Sequence, residues 1–286
     1  MLPARLAAVS PISVAELRVW TLLVAGLAYW GNVVRTARQA GPIGLDSVAE
    51  AVIRNGAFCA AAWVLIAAQA GGAGAAEPAG GRRIAAAVAI CLLGVAPSRQ
   101  TAILLLFLLG VQLAWPAGTR PARKIAALLF AVGFDMAWTS PYALPLHAAV
   151  ANLDAQVVPA LLRGVGLAAG ARDNLVDNAS SGFGIEVLAR CASSYPLGGI
   201  CLAFVVTSVH LRRFPRWRDA PWLAASLIAS AVLTEIRLAW MTMGEADYLW
   251  LHEGGGVTLY TFAAVGFAVL FPLLAVRSAP GARPVP

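Results

Sequence analysis

Cys191, Arg237 and His252 are the residues of this 286-residue chain whose types and order suit acyl transfer. A cysteine attacks a carbonyl as thiolate, so a base must take its proton or a nearby charge must favour the ion. A histidine, ordinarily titrating near pH ~6.5, serves as that base and later protonates a leaving amine. An arginine stays charged beside a membrane and stabilises a thiolate or a tetrahedral oxyanion. Each of the three stands at the edge of an apolar run. Cys191 lies just ahead of GGICLAFVVTSVHL, Arg237 late in WLAASLIASAVLTEIRLAWM, and His252 just before GVTLYTFAAVGFAVLFPLLAV. An arginine late within a span is costly and marks a functional position, so a partner is expected. Glu235, two residues away, does not share its helix face. Asp135, in the outer half of an earlier apolar helix, is the expected partner.

The elements that carry these residues follow from composition. Hydrophobic residues make up 60% of the chain and charged residues only 12%, where soluble domains carry about 25% charged. Mean hydropathy is +0.75. The expected fold class is all-α: a polytopic integral-membrane helical bundle of about eight transmembrane helices. A single domain over residues 1–286 is expected. The net charge of +7 reads as orientation signal rather than nucleic-acid binding, because no block of alternating basic and aromatic residues accompanies it. Cys59, Cys91 and Cys201 lie inside apolar runs, where cysteine acts as a small hydrophobe. Only Cys191 falls in a segment of mixed polarity. No cysteine or histidine spacing fits a metal, and no cofactor is expected. The N-terminal stretch lacks the pattern of a cleaved signal peptide.

Taken in order, apolar runs predict helices over about 17–34, 52–70, 84–96, 100–115 and 125–138, the last ending at the Ser140-Pro141 break. Breaks at 41–44, in the Gly/Ala stretch near 72–80, at Pro97 and at Pro116 separate them. HAAVANLDAQVVPALLRGVGLAAG has apolar residues at helical spacing and suits a helix at the membrane interface or packed on the bundle. ARDNLVDNASSGFGIEVLARC then predicts a turn, a short extended piece at Phe183–Val187 and the Cys191 segment. Further helices follow over about 197–211, 221–243 and 256–276. Basic residues concentrate in RRFPRWR (Arg212, Arg213, Arg216, Arg218), which places that loop and both termini in the cytoplasm. Cys191 then starts outside. Arg237, 16 residues beyond Pro221, lies roughly 24 Å along its helix, most of the way across a ~30 Å core. His252 emerges outside again, so all three reach one extracytoplasmic level.

At these residues the chain resembles the exosortase/archaeosortase family of membrane-embedded cysteine proteases and transpeptidases. The matching stretches are GFGIEVLARCASSYPLGGI, LTEIRLAWM and LWLHEGGGVTLYTF, within a core of about residues 120–276. Arg190 and Ala192-Ser193-Ser194 replace the family's usual flanks of the cysteine, and Thr234 stands where asparagine is typical. Thr234, three residues before Arg237, still shares its helix face. The resemblance implies that Cys191 forms a thioester, Arg237 stabilises charge and His252 moves protons. It implies exported substrates bearing a C-terminal motif, a transmembrane helix and a basic tail, cut near the outer face of a bacterial inner membrane. It also implies a link to exopolysaccharide production and surface-protein sorting.

Two other readings stand beside it. Asp135, Glu235 and Arg237 lining a polar path would suit a transporter, although no repeated halves are apparent. A non-catalytic scaffold of an envelope assembly would leave Cys191 dispensable and unreactive.

Overall fold

The computed structural model describes residues 13–40, 45–71, 81–95, 98–114, 119–211 and 216–277. Arg212, Arg213, Arg5 and Arg283, on which the expected orientation leans in part, lie outside the described residues. So do the breaks expected at 41–44, 72–80, Pro97 and Pro116. The chain forms two compact units, residues 1–133 and 134–286.

The first unit holds α1 (Val14–Ala40), α2 (Leu45–Gly71), α3 (Gly81–Val95), α4 (Arg99–Ala114) and most of α5 (Arg120–Trp138). The local sequence starts these helices. Ser13 and Glu16 form a capping box at α1: Glu16 N–H donates to Ser13 Oγ (3.2 Å), and Ser13 N–H donates to Glu16 Oε2 (2.9 Å). Ser98 Oγ accepts from Thr101 N–H (3.1 Å) and caps α4. The interior is aliphatic: Leu105, Leu106, Leu109, Ile125, Leu128, Leu129 and Val132 are fully buried. Gly110 lets α4 and α5 close up, since a Cβ there would stand 3.0 Å from the Phe130 ring.

The second unit begins with the last turn of α5. Ser140 Oγ donates to Ala137 O (2.6 Å), and Pro141 starts a 3₁₀ turn because its ring cannot continue the α5 ladder. Next come α6 (Leu144–Gly164), strands β1 (Ala169–Arg172), β2 (Leu175–Asn178) and β3 (Phe183–Glu186), then α7 (Leu197–His210), α8 (Ala220–Met241), α9 (Glu245–His252) and α10 (Gly255–Arg277). Buried residues of α6 recur at helical spacing: His147, Ala151, Asp154, Ala155, Val158 and Leu162. The strands form an antiparallel meander in the order β1-β2-β3, with Val176 paired to Ile185 and Ala171 to Val176. Asp173 takes a positive φ of 54° in the first turn, a conformation that aspartate tolerates better than most residues. One face of the sheet is buried through Val176, Asn178 and Ile185; the other is exposed. Asn178 Nδ2 and Ser181 Oγ both donate to Thr242 O (3.2 and 2.8 Å), tying the second hairpin to the end of α8.

The chain is mostly helical, as expected, and its apolar helices are those of a membrane protein. The expected number of spans is corrected. Among the described residues, three helical stretches are long and apolar enough to cross a membrane: Val14–Arg35, Trp217–Met241 and Gly255–Arg277. A fourth is counted only if α5 and α6, bent by 62° at the Ser140-Pro141 break, make one broken span. Ala57–Ala70, Arg99–Ala114 and Leu197–His210 are apolar but fall short of a ~30 Å core. Two further features depart from the sequence reading. The extended piece expected at 183–187 is one strand of three, and α9 fills the stretch between the helices expected at 221–243 and 256–276, to which the sequence assigns no element.

Candidate functional site

Cys191 sits on a pair of tight turns between β3 and α7. Its N–H donates to Leu188 O (2.8 Å), and Tyr195 N–H donates to Ala192 O (2.9 Å). The backbone here is held by buried side chains from earlier in the chain. Asp154 accepts from both the N–H and the hydroxyl of Ser193 (2.7 and 2.8 Å). His147, fully buried, hydrogen-bonds Ser194 Oγ through Nδ1 (2.8 Å) and Trp138 O through Nε2 (2.9 Å). Trp138 Nε1–H donates to Ser194 O (2.7 Å), and the His147 ring stands edge-on to Trp138 and Tyr195. The Cys191 thiol is half-buried and makes no disulfide.

Arg237 lies on α8. Its Nε–H and Nη2–H both donate to Leu251 O (3.2 and 3.0 Å), the carbonyl immediately before His252. Its guanidinium also lies 4.7 Å from the centre of the Tyr260 ring, a cation–π geometry. Thr234 holds that ring in place, since its hydroxyl and the Tyr260 hydroxyl are 2.9 Å apart. The sharing of a face between Thr234 and Arg237, expected from their spacing, therefore acts through Tyr260. The expected pairing of Arg237 with Asp135 is corrected, because Arg237 gives two donors to a carbonyl instead of a carboxylate. Asp135 lines the start of α7: a Cβ on Gly198 would stand 2.9 Å from its Oδ1 and 3.1 Å from Trp138 Cβ. Gly198 is thus the glycine that lets α7 begin against α5.

His252 ends α9. Its ring stacks on Tyr248, with centres 5.0 Å apart and planes at 16°. Its Nδ1 is buried and has no hydrogen-bond partner among the described residues. The Trp240 indole N–H donates to Asp247 Oδ1 (3.1 Å), fastening α9 to α8. The glycines after His252 let the chain double back over Trp250: a Cβ on Gly256 would fall 2.8 Å from the Trp250 ring and 2.9 Å from Leu251.

These three segments meet at one buried cluster. Ala192, Leu238 and Leu251, the sequence neighbours of Cys191, Arg237 and His252, all belong to it, and Cys191 and Tyr248 pack against it. Arg237 and the backbone beside His252 are joined directly; the Cys191 thiol and the His252 ring are not hydrogen-bonded to each other. Five residues around the site went unassigned in the sequence: His147, Asp154 and Trp138 behind the cysteine turn, and Tyr248 and Tyr260 beside the imidazole and guanidinium. Asp154 reads there only as a polar interruption of a helical pattern. Among the described residues, no cluster of three or more His, Cys, Asp or Glu side chains fits a metal ion.

Comparison with family models, with curated proteins and with solved structures gives no match to this chain.

Proposed function

We propose that the protein is a membrane-embedded cysteine peptidase or transpeptidase of exosortase type, with Cys191 as nucleophile. The observation that carries this reading is the double hydrogen bond from Arg237 to Leu251 O. It joins a membrane arginine to the histidine segment, at the cluster against which the cysteine packs. An arginine fixed by two donors and a tyrosine face is preorganised, and a preorganised cation is what a developing oxyanion needs.

In the proposed reaction, the Cys191 thiolate attacks the scissile carbonyl carbon of an exported protein's C-terminal tail. His252 receives the thiol proton and returns it to the departing amine as the C–N bond breaks, leaving a thioester on Sγ. Water or an amine then attacks the thioester and restores the thiol. Cutting takes place at the outer face of a bacterial inner membrane, where the scissile bond of a tail ahead of its transmembrane helix is presented.

The test is to co-express the chain with a tailed substrate, trap the acyl-enzyme and identify its new C-terminus by mass spectrometry. The expected result is an adduct on Cys191 and none with Cys191→Ala. Normal processing by Cys191→Ala overturns the reading and leaves the scaffold alternative.

A further inference from the structure

Asp154 is 4% exposed, and burying a carboxylate is costly unless its oxygens are well bonded. Among the described residues no cation answers it. The Glu235 carboxyl of α8 stands within hydrogen-bonding reach of Asp154, and a second carboxyl brings no compensating positive charge. Ser193 supplies two donors to Asp154, one oxygen bonded through its N–H and the other through its hydroxyl (2.7 and 2.8 Å). Charge-assisted bonds of this length are among the stronger ones a side chain makes. They fall on the residue two after Cys191, at the start of the turn closed by Tyr195 N–H on Ala192 O. His147 and Trp138 hold the end of that turn at Ser194.

The contrast between backbone and sulfur is informative. The turn after Cys191 is held from α5 and α6 by four hydrogen bonds, two to its main chain and two to its serine hydroxyls, while among the described residues the half-buried thiol makes no hydrogen bond. We infer that Asp154 is a positioning residue, which acts through Ser193 to hold the cysteine turn in one orientation. The inference rests on the peptidase reading for the purpose of that orientation: a nucleophile must be held close to its productive geometry by groups that are themselves fixed.

The test uses the full-length protein in membrane vesicles and N-ethylmaleimide, with modification of each cysteine followed by mass spectrometry. Asp154→Asn and Ser193→Ala are expected to speed modification of Cys191 about tenfold, the scale of losing one charge-assisted hydrogen bond. Cys201, in the same unit, and Cys59, buried in the other, should keep their wild-type rates. Ser193→Thr preserves both donors and should restore the wild-type rate at Cys191. Processing of a tailed substrate should fall about tenfold in the first two variants and recover in the third. Unchanged Cys191 rates in both Asp154→Asn and Ser193→Ala overturn the inference. So does a joint rise at Cys191 and Cys201, or failure of Ser193→Thr to rescue, since either marks general loosening. If Cys191→Ala processes substrate normally, the peptidase reading falls alone, because the maleimide rates still report on the clasp.

Discussion

The two compact units differ in what they bury. Among the described residues, the interior of the first is apolar apart from Thr21 and Lys124. The second buries His147, Asp154, Asn178, Ser194, Thr234 and Thr242, each hydrogen-bonded. An apolar core tolerates exchange of one apolar residue for another of similar volume. A polar network does not, because a half-satisfied buried group costs more than the bond it made. The second unit therefore specifies particular atoms at particular places, and those places surround Cys191, Arg237 and His252.

Substitutions can break or sharpen this contrast. The largest effect is expected from Cys191→Ala, which should abolish thioester formation and cleavage of a tailed substrate, read by immunoblot and mass spectrometry. Arg237→Lys should follow, with processing down about a hundredfold, because an ammonium cannot reproduce the two-donor grip on Leu251 O or the stacking on Tyr260. His147→Ala leaves Ser194 Oγ and Trp138 O without their bonds. It should cost about 2–4 kcal/mol in stability and lower processing per folded molecule roughly tenfold, as read by thermal unfolding in detergent beside initial rates. Tyr260→Phe removes only the hydroxyl partner of Thr234 and should slow processing by a few-fold, about 1 kcal/mol. Leu106→Ala, in the first unit, should lower stability by about 2–5 kcal/mol while the processing rate per folded molecule stays at the wild-type value. A strong loss of activity from that last change would erase the contrast between the units.

What could be read from the sequence follows the range of the interactions. Apolar runs locate α4, α7, α8 and α10 to within a few residues, because burying a continuous apolar surface is a local property of the chain. The break at Ser140-Pro141 is equally local. The partner of Arg237 was not legible: charge complementarity points to Asp135, whereas the structure uses a backbone carbonyl that no residue type advertises. The clasp behind Cys191 joins residues 39 and 47 positions apart, and nothing in the spacing of Asp154 or His147 announces Ser193 or Ser194. β1 and β2 went unseen because AGAR and LVDN are short and lack a clean alternation of their own. Their pairing with each other, the pairing of β2 with β3, and packing on α6 make them strands. Span number was overcounted because several runs are apolar enough to enter lipid but too short to cross it.

Gly198 bears on how this chain can vary. Its missing side chain lets the first turn of α7 rest against Asp135 and Trp138, and Trp138 is also the residue that grips Ser194. One contact point therefore serves as both hinge pin and latch: a methyl group added there would push α7 outward and unfasten the loop ahead of it in a single step. The half-buried positions Cys201, Val205 and Thr207 of α7 leave some room for other side chains, whereas a methyl group at Gly198 must displace Asp135 or Trp138.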